Sequence, residues 1–564
     1  MPAGGPTGGH VLREAIRGRR RGVVAASLLG MGHQACEALV PVIVGVIIDE
    51  AVAKGSSGTL LRLLALLAVV FAVLSTCYRV GARITEAAGE RATHRLRLDL
   101  AARVLDPRGG ADADRLPGAL TSIATNDARR VGAAVTVLSY GASALAALAV
   151  SAVALLRISV PLGLLVLLGI PPLLWLGHRI SGPLERRSET EQERAAHASG
   201  VAADLVMGLR VLKGMGAEPA AVARYRRTSQ DSLAAALRAA RSRAGHEGAV
   251  LALTGVFIAV IALVGAYLAM RGSISVGELV AAVGLAQFLL GPFQLLTFVN
   301  AEFAQGRASA RRIAEVLAAP AAVEPGGAAL PGTVTGRIRL RGVTLGALRG
   351  VDLDLGPGLT GVVTGDPTAA RDLLRCLARE SDPAGGVVEL DGVPLTGLDP
   401  DDVRRAVLVA PHDADLFETS LLDNVCGGAD ADAAVVEAAL AASAADDVAR
   451  LLPDGADTVL TERGRSLSGG QRQRVALARA LAAGRPVLVL HDPTTAVDTV
   501  TESRIAARLK ETRGDRTTVL VTTSPALLAV TDRVVVLDGG TVTADGRHAE
   551  LVAADAAYCA AVLA

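Results

Sequence analysis

Six apolar runs in the first 300 residues dictate the fold of this half of the chain. A run of roughly 20 residues is needed to cross a hydrocarbon core of about 30 Å. Such runs lie near residues 23–48, 59–80, 131–156, 160–180, 248–270 and 276–299. In a chain of 564 residues that is 51% hydrophobic, they predict a six-span helical membrane domain.

The connections between the runs predict an orientation. DEAVAKGSSG, RISVP and RGSISVGE are short, whereas the segments near 81–130 and 181–247 are long and rich in arginine. Arginine-rich connections favour the cytoplasmic side. A multi-pass protein of the cytoplasmic (inner) membrane, with both termini in the cytoplasm, is therefore expected. Apolar residues at three and four spacing in the long segments indicate that the helices continue beyond the bilayer.

Charge and cysteine content exclude several classes of protein. The net charge is +1 and neither half carries a basic block, which speaks against a nucleic-acid partner. The cysteines show no C-x-x-C spacing, which argues against a disulfide framework or a thiolate metal site. They are Cys36, Cys77, Cys376, Cys426 and Cys559.

The second half of the chain differs from the first in composition and in its hydrophobic pattern. A linker rich in proline, glycine and alanine is predicted at 316–335, after a membrane domain at 1–315. Beyond it, β-rich runs such as LTGVVTG, PVLVLHD and TTVLVTT alternate with helical stretches. This alternation is typical of a mainly parallel α/β fold at 336–564, and the resemblance given below implies that this fold is a nucleotide-binding domain of the P-loop type.

The most specific motif is LSGGQRQR, which begins at Leu467 and is followed by VALARAL. A serine and two glycines at a helix start expose backbone N–H groups and the positive end of the helix dipole, so that an anion can approach without meeting a Cβ. The motif predicts a contact with phosphate through Ser468, Gly469, Gly470 and Gln471.

With these motifs the chain resembles a half-transporter of the ABC superfamily, of the exporter type. The resemblance covers nearly the whole chain, since PHDADLFETSLLDNV, PTTAVD and DRVVVLDGGTVTADGRHAEL also occur in family order. It implies a head-to-tail dimer in which each ATP, with magnesium, lies between one subunit's phosphate loop and the other's LSGGQ. Asp498 takes the position that contacts the facing subunit.

The phosphate loop departs from the family pattern G-x-x-x-x-G-K-[ST], in which glycines form a cradle, lysine reaches the outer phosphates and a hydroxyl binds magnesium. Thr368 and Ala370 replace glycines, Arg371 replaces lysine, and Asp372 replaces the hydroxyl. A carboxylate about 4 Å from a phosphate costs roughly 4 kcal/mol at an effective dielectric of about 20. A degenerate loop is predicted, made of Gly365, Asp366, Pro367, Thr368, Ala369, Ala370, Arg371 and Asp372.

Other positions of the same site are also altered. The resemblance places His491 at the magnesium-binding aspartate and Asp492 at the catalytic glutamate. His412 stands for the glutamine of the loop that senses the membrane domain, and Thr523 for the switch histidine. No tyrosine or phenylalanine lies near 345–347, where an adenine platform is expected. His491 and Asp372 are therefore expected to bind magnesium weakly at best.

These departures predict a division of labour. The chain is interpreted as the degenerate subunit of a heterodimeric ATP-driven transporter, inactive alone, whose LSGGQ completes the ATP site of a partner half-transporter. Export of a small molecule, peptide or lipid is expected. Two alternatives remain open: an importer of a metal chelate with the same fold, and a regulatory or channel-like protein that does not pump. A companion with an intact phosphate loop in a neighbouring reading frame would favour the heterodimer.

Polar residues within the apolar runs are candidates for the substrate path. His33 and Glu37 are four residues apart and so share a helix face, and ionisable residues in a membrane usually face a cavity or a partner. A structural contact between helices is the equally weighted alternative. The full candidate set is His33, Gln34, Glu37, Gln287, Gln294 and Asn300.

Overall fold

The computed structural model describes residues 6–113, 115–413, 415–427 and 432–563. The chain divides into two compact units, one made of Met1–Leu100 and Gly118–Ala318 and the other of Ala101–Pro117 and Ala319–Ala564. The outer limits of the predicted domains, residues 1 and 564, lie outside the described residues. Each unit has its own hydrophobic core.

The first unit is helical throughout its length. Two π-helical turns, Ile48–Val52 and Ile123–Asp127, interrupt the α-helices. The α-helices from the first residues to the linker are α1 Gly8–Arg17, α2 Arg20–Ile47, α3 Ser57–Val104, α4 Pro117–Ser122, α5 Ala128–Ile158, α6 Val160–Met207, α7 Leu209–Met215, α8 Glu218–Met270 and α9 Val276–Leu317.

Several of these helices are much longer than a bilayer is thick. Helix α8 has 53 residues and α3 and α6 have 48 each, so at 1.5 Å per residue they extend for roughly 70 to 80 Å. A span needs only about 30 Å. The helices therefore continue beyond the apolar runs, as the periodicity of the long segments predicts.

By length and composition, five helices of the described residues qualify as membrane spans, and six qualify if a bent pair counts as one. The five are α3, the segment Gly118–Ile158, the segment Val160–Gly182, α8 and α9. The bent pair joins Arg186–Met207 to Leu209–Met215 at 65°. The run predicted at 23–48 forms helix α2, which is outside the five; His33, Gln34 and Glu37 interrupt its apolar residues.

Close backbone approach holds the membrane helices together. A Cβ at Gly89 on α3 would lie 2.3 Å from Thr136 Oγ1 on α5, and one at Gly132 on α5 would lie 2.0 Å from Thr93 Oγ1 on α3. Small residues at a helix crossing admit close van der Waals contact between the two backbones. These two glycines fix the crossing of α3 and α5.

An ion pair with a buried carboxylate joins the second π-helical turn to α9. The side chain of Asp127 is 6% exposed, and it accepts hydrogen bonds from Ser309 Oγ at 2.9 Å and from Arg312 Nε at 2.7 Å. Arg312 Nη2 also donates to Asp127. The guanidinium and the hydroxyl together compensate the carboxylate for its loss of water.

The second unit contains two β-sheets. A six-stranded sheet has the order β10-β9-β3-β8-β7-β6, parallel except for β10, and a four-stranded antiparallel sheet has the order β2-β1-β4-β5. The strands are β1 Ile338–Leu345, β2 Leu348–Leu355, β3 Gly358–Val363, β4 Gly385–Leu390, β5 Val393–Pro394, β6 Val407–Ala410, β7 Val487–His491, β8 Thr517–Val521, β9 Arg533–Asp538 and β10 Thr541–Gly546. The predicted α/β architecture is confirmed.

Helices cover this sheet and form a second core beside it. They are α10 Pro367–Leu377, α11 Pro400–Ala406, α12 Leu421–Cys426, α13 Ala433–Ala442, α14 Ala445–Leu451, α15 Gly469–Ala482, α16 Thr499–Arg513, α17 Pro525–Ala529, α18 His548–Ala554 and α19 Ala556–Leu563. Helices α12 to α15 pack on one another around Leu421, Ala445 and Val475. This helical core positions α15, which begins with the LSGGQ motif.

Candidate functional site

The loop between β3 and α10 is closed by its own carboxylate. Asp366 is the N-cap of α10, and its Oδ1 accepts a hydrogen bond from Thr368 N at 2.8 Å. Pro367 occupies the first helical position and has no N–H. Two of the backbone positions that would form a phosphate cradle are therefore not available, and a negative charge lies at the helix N-terminus.

The Asp372 side chain contacts the turn between β1 and β2. Its side chain is buried, with Oδ2 accepting from Ala347 N at 2.8 Å and Oδ1 3.6 Å from Arg375 Nη1. A Cβ at Gly346 would come within 2.0 Å of Oδ2, so the turn between β1 and β2 closes directly on this carboxylate. Asp372 therefore supports the turn between β1 and β2, which contains positions 345–347, where the resemblance implies an adenine platform.

The end of β7 brings three predicted site residues together. The imidazole rings of His491 and His412 have centroids 5.9 Å apart, and His491 Nε2 lies 3.7 Å from Asp492 Oδ2. Burial, with a smaller effect of His412, lowers the pKa of His491 despite the opposing charge of Asp492. His491 is therefore neutral at pH 7 and supplies no negative charge for magnesium.

Asp492 has a backbone conformation that side chains seldom adopt. Its φ is 45°, and its N–H donates to Val521 O at 3.0 Å, which attaches it to the end of β8. An aspartate is also one methylene shorter than glutamate, and a small misplacement of a base lowers the rate sharply. Thr523, two residues beyond β8, is exposed.

Glu502 links two loops of this region through hydrogen bonds. The sequence alone did not single out this residue. Its Oε1 accepts hydrogen bonds from Thr494 Oγ1 at 2.6 Å and from Ser524 Oγ at 2.8 Å. The loop after β7 and the segment after β8 are thus fixed to the same carboxylate on α16. Its position four residues after Asp498, the N-cap of α16, was the available signal.

The N-terminus of α15 is open, in contrast to that of α10. Ser468 and Gln471 form a capping box, in which Ser468 N donates to Gln471 Oε1 at 2.8 Å and Gln471 N donates to Ser468 Oγ at 3.3 Å. The N–H groups of Gly469 and Gly470 precede the first intrahelical donor. They are left for an external acceptor at the positive end of the helix dipole.

Gln473 fixes α15 to the loop after β7. Its Nε2 donates to Thr495 Oγ1 at 2.8 Å, and its Oε1 accepts from Ala496 N at 2.8 Å. A Cβ at Gly470 would lie 2.5 Å from Ala496 O, so only glycine fits at this approach. The four signature residues and the PTTAVD loop therefore form one packed piece.

Asp498 ends that loop as a helix cap. Its Oδ1 accepts from Thr501 N at 3.0 Å. This hydrogen bond lowers the pKa of Asp498, so the carboxylate is ionised at pH 7. A cavity of about 510 Å³ lies next to the loop, between α15 and the ends of β6 and β7, and His412, Gln473 and His491 line it.

The polar candidate residues of the membrane unit lie in three different settings. His33 donates through Nδ1 to Leu74 O on α3 at 3.1 Å and lies 3.6 Å from Glu37, while the buried Gln34 Oε1 has no hydrogen-bond partner among the described residues. Gln294 lines a cavity of about 560 Å³ with His178 and His246. The other two members of the candidate set are exposed, namely Gln287 and Asn300.

The chain was compared with known proteins. Residues 23–293 match the ABC transporter transmembrane region, and residues 348–495 match the ABC transporter domain. An ATP-dependent lipid A-core flippase of Thiobacillus denitrificans is 31% identical over 407 residues, 70% of each chain. A multidrug efflux ATP-binding/permease protein of Mycobacterium tuberculosis is 33% identical over 551 residues, 94% of this chain and 45% of that longer protein.

Among solved structures, a bacterial Atm1-family ABC exporter with ATP bound superposes with a TM-score of 0.76 over 96% of this chain and 97% of that one, at 24% identity. A membrane unit of long helices followed by an α/β unit with an open LSGGQ helix defines an ATP-binding membrane transporter. The chain belongs to the ABC transporter family and has the exporter fold, with both regions in one polypeptide. The predicted half-transporter is confirmed, and family membership implies binding of ATP with magnesium.

Proposed function

We propose that this chain is the degenerate subunit of a heterodimeric ATP-driven exporter. Its LSGGQ helix completes the ATP site of a partner half-transporter whose phosphate loop is intact. The transported solute is a small molecule, peptide or lipid, in keeping with relatives named as a lipid A-core flippase and a multidrug efflux protein. The complex lies in the cytoplasmic membrane with both termini in the cytoplasm, and the chain is organised as a membrane domain (1–315), a linker (316–335) and a nucleotide-binding domain (336–564).

The observation that carries this proposal is the Asp366 carboxylate at the start of α10. In a working phosphate loop that place belongs to a phosphate, held by successive N–H groups. Here the carboxylate takes the N–H of Thr368, and Pro367 has none to offer. The residues present do not fit ATP and magnesium at this chain's own loop.

The N-terminus of α15 can donate backbone N–H groups to an ATP molecule that a partner subunit holds. Gly469 and Gly470 present N–H groups with no Cβ in the way, and the capping box holds Ser468 and Gln471 in place. Such donors are effective because they are already oriented when charge develops on a phosphate. A homodimer would pair each open α15 helix with a closed phosphate loop, so neither of its two ATP sites would be complete. We therefore propose a partner with a different sequence.

The closed loop gives a direct test in the isolated chain. Asp366→Asn keeps an N-cap acceptor for α10 but removes the negative charge. A unit charge near 4 Å in a largely hydrated setting corresponds to about 1 kcal/mol, so we expect the variant to bind nucleotide about fivefold more tightly. Titration of the purified full-length chain with fluorescent ATP measures the difference.

Asp399→Asn is the matched control. Asp399 is also an N-cap followed by proline, at the start of α11, and its Oδ1 accepts from Asp401 N at 2.9 Å. Asp399 lies on a different helix, so the Asp399→Asn variant should bind nucleotide with the same affinity as the wild type. Tight binding by the wild type, or equal gains in both variants, would contradict a loop closed by Asp366.

The chain purified without a partner should show no steady ATP hydrolysis in the presence of magnesium. The physical reason is that His491 is neutral, Asp492 is short and the loop is closed, so no residue set aligns a water for attack. Release of phosphate in detergent and in lipid vesicles is the measurement. Sustained turnover at a typical transporter rate, retained after removal of contaminating ATPases, would refute the assignment.

A further inference from the structure

A cavity of about 520 Å³ lies between the bend that joins α1 to α2 and the flank of α3. It is within the membrane unit and distant in sequence from every nucleotide motif. In the described part of the chain, its charged lining residues are all arginines, namely Arg17, Arg19, Arg20, Arg21, Arg83 and Arg91.

The bend is built by local hydrogen bonds and packing. Gly18 N donates to Glu14 O at 2.9 Å and Arg19 N to Ile16 O at 3.0 Å, which ends α1 before α2 begins. A Cβ at Gly22 would be in ordinary contact with α3, 3.7 Å from its nearest side-chain atoms there. The cavity is thus a formed feature of three helices and not a gap between loose side chains.

The positive charge of this cavity is not balanced. Within the described ranges, none of the six arginines has an ion pair within 4 Å. Two nearby acids are engaged elsewhere: Glu14 lies 3.6 Å from Arg95 and 3.5 Å from His10, and Glu86 accepts from Tyr140 at 3.2 Å. A third, Glu90, is exposed and makes no ion pair with the six arginines within the described residues. Six like charges around one cavity repel, so an anion in it would relieve the repulsion.

The cavity lies at the ends of two apolar runs. The run on α2 starts at residue 23 and the run on α3 stops at residue 80, next to Arg21 and Arg83. The adjacent apolar side chains are exposed, with Val24 at 57%, Leu28 at 63% and Val80 at 41%. A ligand that combines an anionic group with hydrocarbon chains matches both surfaces.

We propose that this cavity binds the phosphate of an anionic phospholipid headgroup, with the acyl chains along Val24, Leu28 and Val80. Guanidinium groups bind phosphate through paired N–H donors, and basic pockets beside membrane helices suit anionic headgroups. Free inorganic phosphate has the same charged group as the headgroup, but it has no acyl chains to contact the apolar surface. Neither ATP nor a partner subunit enters the proposal, so it stands or falls separately from the proposed function.

The test compares lipids on the purified full-length chain in detergent. Phosphatidylglycerol and phosphatidylcholine with the same acyl chains are titrated, and bound lipid is counted by native mass spectrometry. The variant Arg20→Gln/Arg83→Gln removes one arginine from each wall. The control Arg13→Gln/Arg97→Gln removes the same charge from exposed positions on α1 and α3 outside the cavity.

We expect phosphatidylglycerol to bind the wild type and the control at least about tenfold more tightly than phosphatidylcholine, and the cavity variant to lose this preference. Higher salt should weaken the wild-type preference, which tests the charge effect without any variant. Equal losses in the two variants, a preference insensitive to salt, or displacement of the lipid by millimolar inorganic phosphate would each overturn the lipid assignment.

Discussion

If the proposed heterodimer is assembled, Ser468→Arg in this chain should lower its ATPase rate at least about a hundredfold. The new side chain breaks the capping box and places bulk in front of the Gly469 and Gly470 N–H groups. These groups contribute to a phosphate only if it can approach them directly, so the loss should appear in kcat. Steady-state hydrolysis by the purified pair, with the partner expected in the adjacent reading frame, is the measurement.

Arg371→Ala, in the loop that we propose to be degenerate, should change the same rate by less than about threefold, as for an exposed substitution away from a working site. Ser503→Arg is the control for the signature variant, because Ser503 is an exposed serine on α16 and its Oγ bonds only locally, to Thr499 O. Equal losses for Ser468→Arg and Arg371→Ala would mean that the degenerate loop still carries catalysis. A large loss for Ser503→Arg would show that added bulk alone disturbs the unit.

Arg312→Met should destabilise the membrane unit by about 2 to 3 kcal/mol. The substitution retains the apolar stem but leaves the buried Asp127 carboxylate with Ser309 as its remaining partner. Breaking a buried pair from one side typically costs about 3 to 5 kcal/mol. The lower figure applies here because the Arg312 side chain is 46% exposed and solvent screens the pair. Thermal unfolding in detergent should show a clearly lower Tm.

A double variant distinguishes the loss of this ion pair from a general loss of stability. Asp127→Asn with Arg312→Met removes both charges, so the double variant should regain much of the stability that Arg312→Met loses. Arg307→Met, on the same helix with only a contact to the ring of Phe303, should cost about 1 kcal/mol at most. A double variant as unstable as the sum of its single variants would contradict the coupling of Asp127 to Arg312.

The sequence predicted most of the fold because its signals are local. Strands β6, β7 and β9 contain continuous runs of valine and leucine, and the serine of LSGGQ caps a helix from its own sequence. Asp366 followed by Pro367 is also a local helix-start signal, but the missing glycines and lysine drew the interpretation to what the loop lacks. Its closure by the carboxylate became visible only in the structure.

Other features depend on contacts distant in sequence. Asp372 is directed to Ala347 by a turn 25 residues earlier, so no pattern around Asp372 reveals its role. Glu502 acquires its role from Thr494 and Ser524, which belong to separate loops.

The contact between Gly470 and Ala496, with Gln473 bonded on both sides of it, has a consequence for how this subunit would meet its partner. The signature residues and the loop that ends in Asp498 cannot change position independently. Whatever displaces one displaces the other, so the proposed facing subunit would encounter a single preassembled surface and not two adjustable loops. Substitutions on either side of this contact should therefore disrupt the same surface, and their effects on the ATPase rate should not be additive.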